Sequence, residues 1–217
     1  MHTGKIIFPV LVTALFCCAN PAGKDRPAYF TGEIEYSYSY ESNRLNQDSL
    51  SNTRPSRGIF RYDSSDYQSS FIGKKDTFTY YYSGRRNKCL SSLNGSIDST
   101  CEDYSIVTDS IINWKLYPAD EKLNGQFCDV LEMQKKNSWV RYYVSRQLKL
   151  SPTGYNRHKS YNWDFYGEKT GGGLILKLEH RFANFTMKGE AASITEKGKD
   201  YHALTIPGSE FEKFCNK

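Results

Sequence analysis

The chain has 217 residues, with 29 Lys and Arg against 24 Asp and Glu, a net charge of +5 and a mean hydropathy of −0.66. That length suits one all-β domain with a real core, and the hydropathy excludes a protein with several membrane spans. Charges of both signs are interspersed, and no Lys/Arg block is long enough to act as a nucleic-acid arm.

The chain opens with a short positive segment, His2 to Lys5, and an unbroken small-to-apolar run from Ile6 to Phe16. A run of 11 residues is too short to span a bilayer, which needs about 20. It reads as a secretory signal peptide over residues 1–17. The run closes on Leu15-Phe16-Cys17-Cys18, which places a Leu three residues before Cys18, as in a bacterial lipoprotein signal. Cys18 is therefore the expected lipidation site, and residues 18–28, rich in Pro and small residues, the expected tether. The expected address is the bacterial cell envelope, with the protein lipid-anchored in the outer membrane and facing periplasm or cell surface.

Residues 29–217 are expected to form a single β domain. Phe30, Ile34, Tyr36, Tyr38 and Tyr40 alternate with Thr31, Glu33, Glu35, Ser37 and Ser39, the cleanest period-2 run in the chain. A polar loop over 41–57 follows. Strands are expected at 59–62, 67–72 and 77–82. Asn94-Gly95 is the strongest short hairpin signal and centres a hairpin over 89–101. Residues 104–118 fit a short helix or a strand at 111–116, and the strand is preferred. Further strands are expected at 127–133, 139–145, 163–166, 174–182, 185–188, 192–195 and 201–206.

Three glycines, Gly171 to Gly173, are expected to turn the chain into a half-buried strand, with Leu174, Leu176, Leu178 and Phe182 on one side and Lys177, Glu179 and Arg181 on the other. Many short strands with turns every 8–12 residues imply one antiparallel sheet with few or no long helices. A sheet this large curls rather than stays flat, giving a concave face. Ile34, Tyr36, Tyr38, Leu174, Leu176, Leu178 and Phe182 are expected to share that inner face. With Phe60 and Tyr62 they are the candidate residues for an apolar ligand such as lipid or acyl chains. The Tyr36/Tyr38/Tyr40 stripe also fits stacked sugars, which keeps a carbohydrate- or protein-binding module as the alternative. A plain core is the simplest account of any single tyrosine.

Four cysteines remain after processing: Cys89, Cys101, Cys128 and Cys215. An even count in an exported chain predicts disulfides. Cys89 is expected with Cys101 across the hairpin, given an odd-length loop or a bulge, because a two-residue turn sets opposed positions summing to 189 and leaves Cys89 facing Thr100. Elimination then pairs Cys128 with Cys215. No CxxC motif and no Gly-x-Ser-x-Gly elbow occurs. His180 and His202 are too few for a metal site, which wants three or four ligands. Glu33 and Glu35 lie opposite the tyrosines and read as solvated. No catalytic residue, metal or cofactor is expected. The basic group Arg146, Lys149, Arg157, His158 and Lys159 reads as a solvated loop, with contact to anionic head groups as its functional alternative.

Three runs resemble the GLPGLI family of Bacteroidetes exported proteins: Trp114-Lys115-Leu116 followed by Lys122 to Cys128, then Trp139 to Val144, then Gly171 to Leu176. The last stands where the naming motif would be, but Gly replaces its Leu and Pro. The resemblance implies the wider LolA/LolB-like lipoprotein-carrier fold, a curled, incomplete β-barrel with an apolar inner surface. It implies no catalytic residues.

Overall fold

A computed structural model of the protein describes residues 29–198 and 200–215. The expected signal peptide, Cys18 and the tether lie outside the described residues.

In chain order the elements are β1 (Gly32–Glu41), α1 (Gln47–Thr53), β2 (Arg57–Tyr62), β3 (Asp66–Ile72), β4 (Thr77–Ser83), β5 (Lys88–Leu93) and β6 (Ser96–Asp103). Then come β7 (Ile111–Leu123), β8 (Gln126–Lys135), β9 (Trp139–Lys149), α2 (Pro152–Tyr155), a 3-10 turn at Ser160–Asn162 and α3 (Trp163–Thr170). The chain closes with β10 (Gly173–Arg181), β11 (Thr186–Glu196) and α4 (Gly208–Cys215). The strands form one antiparallel sheet in the order β6-β5-β4-β3-β2-β1-β11-β10-β9-β8-β7. The fold is thus all-β, and its first strand lies in the middle.

Connectivity forces the curl. Eleven flat strands would separate β6 from β7 by about 48 Å, at about 4.8 Å per step. Yet Asp103 and Ile111 are consecutive element ends, and eight residue steps reach at most about 29 Å. The sheet therefore wraps around until its two edges approach, and it stays open between them. The register defines two mouths. Gly32, Tyr62, Ser83, Lys149 and Gly173 lie at one, called here the tether-side mouth. Glu41, Arg57, Thr77, Lys135 and Arg181 lie at the far mouth.

Facing residues run across the sheet in rows. Leu116, Leu131, Tyr142, Leu178, Gly189 and Tyr38 form one apolar row on the concave face. Lys115, Glu132, Arg141, Glu179 and Lys188 form the adjacent row on the convex face, where Arg141 pairs with Glu132 and Arg181 with Glu179. Glu33 and Glu35 also lie on the convex face, paired with Arg61 and Arg57. The period-2 pattern has sorted apolar inward and charged outward, as a half-buried sheet requires. Gly189 makes room for Tyr38: a Cβ there would lie 2.7 Å from the ring, and one at Gly58 on the opposite neighbour would also meet it at 2.7 Å.

The glycine run differs from expectation. Residues 163–166 belong to α3 rather than to a strand. Gly171 (φ 63) and Gly172 (φ 75) stop that helix in the left-handed region, with Gly172 N donating to Gly167 O at 3.1 Å. Gly173 then starts β10 so close to β9 that a Cβ would lie 2.3 Å from the Ser145 carbonyl. The two strands expected at 185–188 and 192–195 are one, β11. Residues 201–206 are extended but join no ladder. Side chains serve their backbone instead, with Ala203 N donating to Asp63 Oδ2 and Thr205 N to Gln68 Oε1.

The disulfide also differs. It joins Cys101 to Cys215, while Cys89 and Cys128 are free, buried thiols. The hairpin does turn on Asn94-Gly95 with Leu93 opposite Ser96, so opposed positions sum to 189 near the turn. An irregularity between Leu90 and Ser92 then raises the sum to 191, placing Cys101 opposite Leu90 and Cys89 opposite Glu102. The two cysteines therefore point to opposite faces. Cys89 joins the concave core, whereas Cys101 packs with Tyr81 and Leu90 against Phe211 and Phe214 of α4 on the convex side.

Candidate functional site

The concave face is filled. Ile34, Tyr36, Tyr38, Tyr62, Leu174 and Leu176 are all buried in one cluster, with Phe60 and Leu178 packed against it. These residues pack as core, with Phe60 and Leu178 only partly buried. Tyr36 Oη donates to the Ile175 carbonyl and Tyr40 Oη to the Pro55 carbonyl, so the polar tips are satisfied inside. Phe182 lies beyond β10, 38% exposed, and stacks on His180 and Phe185 rather than joining the core.

The filling comes from the segment between β9 and β10. It carries Tyr155, His158 and Trp163 inward against Tyr67, Tyr82 and Tyr104, and Tyr166 against Tyr142. His158 is wholly enclosed, its Nε2 2.9 Å from Tyr67 Oη, and burial pushes its pKa down to about 3. Of the basic group expected to be solvated, His158 is therefore core. Arg157 donates to the Gly84 and Arg85 carbonyls, and Arg146 pairs with Asp129. These contacts anchor the segment and leave no concentrated anion patch. His180 and His202 are far apart in the sheet, since His180 is at the far mouth and His202 follows Gly198 beside Asp63 at the tether-side mouth. Among the described residues no group of three His, Cys, Asp or Glu could hold a metal.

Two connected stretches of free apolar surface adjoin the concave core, besides scattered exposed side chains such as Phe78, Leu93, Val107 and Phe127. The first is a cleft of about 450 Å³ between α2 and α3 at the tether-side mouth, walled by Leu150, Tyr155, Trp163, Phe165 and Tyr166. The second is the open edge strand β7. Trp114 and Leu116 stand opposite Met133 and Leu131, both fully buried, so they lie on the concave, core-forming face. With no strand beyond β7, Trp114 is 42% exposed and Leu116 40%, and Ile112 beside them is 68% exposed. The two places meet at Phe165, whose ring packs edge-on against Trp114 at 5.7 Å. Lys169 Nζ lies over both rings, at 5.1 and 5.4 Å.

No protein-family model and no curated protein matches the chain. Solved structures do match. PNGF-II aligns with 87% of this chain and 30% of its own, at 15% identity and a TM-score of 0.45. LprF from Mycobacterium bovis aligns over 78% of this chain and 90% of its own, at 6% identity and a TM-score of 0.32. A beta-barrel-like protein of the domain of unknown function DUF1849 from Brucella abortus aligns over 78% and 99%, at 7% identity and a TM-score of 0.36. This chain thus spans less than a third of the PNGF-II chain it matches. The GLPGLI resemblance rests on its three short runs.

Of the residues involved, Trp114, Leu116 and Trp163 read as strand residues in the sequence, Trp114 and Leu116 as part of the GLPGLI-like run, but none as a ligand-binding candidate. The signal available was Trp114 and Leu116 alternating with Lys115 in a segment bounded by the Asn124-Gly125 turn. Nothing local marked β7 as the edge.

Proposed function

We propose that the protein is a non-enzymatic, lipid-anchored cell-envelope protein that binds an apolar ligand, a lipid or acyl chain, along β7 and into the α2–α3 cleft. The supporting observation is that Trp114 and Leu116 stand uncovered although the residues opposite them, Met133 and Leu131, are fully buried core. Apolar surface gains about 25 cal/mol per Å² when covered, so this strip favours an apolar occupant. The cleft falls within the roughly 300–1,000 Å³ range of small-molecule sites. The LolA-like resemblance adds the expectation of an apolar inner surface, here restricted to the uncovered edge because the rest is filled. The Leu15-to-Cys18 signal supports anchoring in the outer membrane.

Native mass spectrometry of protein purified from its own membrane tests the reading, followed by displacement of a fluorescent acyl probe. Co-purified lipid is expected, with Trp114→Ala weakening the probe about tenfold, a loss of about 1.4 kcal/mol. No bound lipid and no probe binding refutes it. Binding of soluble oligosaccharide in its place would make the protein a carbohydrate-binding module.

A further inference from the structure

The far mouth holds two basic side chains that form no ion pair among the described residues, although Asp109 acts on both from a distance. Lys135, at the end of β8, is only 3% exposed, and its Nζ donates to one acceptor, the Tyr161 carbonyl at 3.3 Å. An ammonium carries three donors. Among the described residues no carboxylate forms an ion pair with it. Asp109 is the acid that acts on it, but that carboxylate already accepts from Asn137 N and Nδ2 and from Ser138 Oγ. His180 lies opposite Val140, which lies opposite Met133, two residues before Lys135. Its Nε2 is buried and has no hydrogen-bond partner among the described residues, and its ring stacks on exposed Phe182 at 3.9 Å. Burial lowers the Lys135 pKa to about 8, and burial together with the Lys135 charge lowers that of His180 to about 4.

Two further features bear on this mouth. Tyr161, whose carbonyl accepts from Lys135, and Asn162 after it have φ of 58° and 64°, a region that side-chain-bearing residues rarely adopt. The row His180–Val140–Met133 continues to Trp114, so His180 shares a row with the uncovered apolar strip, and Lys135 lies two residues beyond Met133 on the same face of β8.

We propose that Lys135 and His180 receive the anionic head group, a carboxylate or a phosphate, of an amphipathic ligand whose chain lies against Trp114 and Leu116. A buried ammonium with unused donors gains a charge-assisted hydrogen bond from such a group, and a neutral His180 donates or accepts a second. The inference rests on the apolar-ligand reading.

The test compares dodecanol, dodecanoate and dodecyl phosphate by titration calorimetry near pH 7, on the wild-type protein and on Lys135→Met. The substitution keeps side-chain length and removes a buried charge, so the fold is expected to persist. Lys135→Gln is a second variant expected to behave alike. At least one anion should bind the wild type tenfold or more tighter than dodecanol, and the variants should bind all three alike. The favoured anion identifies carboxylate or phosphate as the head group. Equal binding of the three by the wild type, or an anion preference that survives in both variants, overturns the head-group site and leaves the apolar reading standing. Binding of none of the three overturns both.

Discussion

Removing the Cys101–Cys215 disulfide is the sharpest test of how this sheet is held. The bond closes 114 residues, from the edge strand β6 to the C-terminal helix α4. On the chain-entropy account a loop of that length restrains the unfolded state by about 5 kcal/mol. Part of the native contact survives its loss: Phe211 of α4 stays buried, and Lys88 Nζ still donates to the Cys215 carbonyl at 2.8 Å. The cost therefore lies in the unfolded chain rather than in lost packing. Cys101→Ser and Cys215→Ser should each lower stability by about 3–5 kcal/mol, and the double variant by no more than either, because all three break one bond. With a guanidinium slope of about 4–5 kcal/mol per molar, the midpoint should fall by close to 1 M. Cys89→Ser and Cys128→Ser should leave the response to reductant unchanged. The Cys89 thiol, its pKa pushed up to about 12 by burial, should react with thiol reagents only after unfolding. Peptide mapping that links Cys89 to Cys101 or Cys128 to Cys215 would refute the pairing. A midpoint indifferent to reductant would refute the energetic argument.

Three other outcomes are expected. Gly189→Ala should cost about 1–3 kcal/mol in chemical unfolding, since its Cβ meets the Tyr38 ring at 2.7 Å and Leu178 Cγ at 3.1 Å; part should return in the Tyr38→Leu background, and full additivity would show that the ring is not the obstacle. His158 and His180 titrate at about 3 and 4 when folded, below about 6.5 when unfolded, so the unfolded chain binds more protons in between. Their contribution is complete above pH 6.5 and drains away as pH falls through 4 toward 3, by up to about 1.4 kcal/mol per pH unit for each; in a pH series of unfolding midpoints, His158→Gln should flatten that limb, and an unchanged slope would remove His158 from it. Cys18→Ser should release the protein from the membrane fraction and abolish acyl mass, whereas a variant that stays membrane-bound would refute lipidation at that residue.

Local chemistry made much of this sheet readable in advance. The turns at Asn94-Gly95 and Asn124-Gly125 both adopt the positive φ values that hairpins of right-handed twist demand, and the sequence marks both. Alternation along β1 assigned Ile34, Tyr36 and Tyr38 to the core face because one wet side leaves no other choice. Failures came where two states satisfy the same residues. Trp163 to Tyr166 is aromatic enough for a strand, yet Lys169 in a last turn and Gly171 just after it are helix-stop signals that would have revealed α3. Residues 201–206 alternate like a strand because Leu204 and Ile206 pack under α4, while Asp63 and Gln68 take the place of a neighbouring ladder. The disulfide was missed through one irregular step between Leu90 and Ser92, which no pairing rule based on turn length contains.

The candidate site was hidden for a different reason. Trp114 and Leu116 have the same local pattern as Tyr36 and Tyr38, and one pair is core while the other is open. The difference is non-local: β1 has β2 and β11 on its two sides, whereas β7 has β8 alone. Which strand becomes the edge depends on a chain that starts in the middle of its own sheet and ends its meanders at β6 and β7. The same topology brings α3 back across β8, so that Phe165 reaches Trp114. An interior already filled by Tyr67, Tyr82, Tyr104, His158 and Trp163 cannot admit a chain without displacing fully packed rings, which cores resist. A ligand of the proposed kind would lie where packing stops, and the β7 edge is such a place.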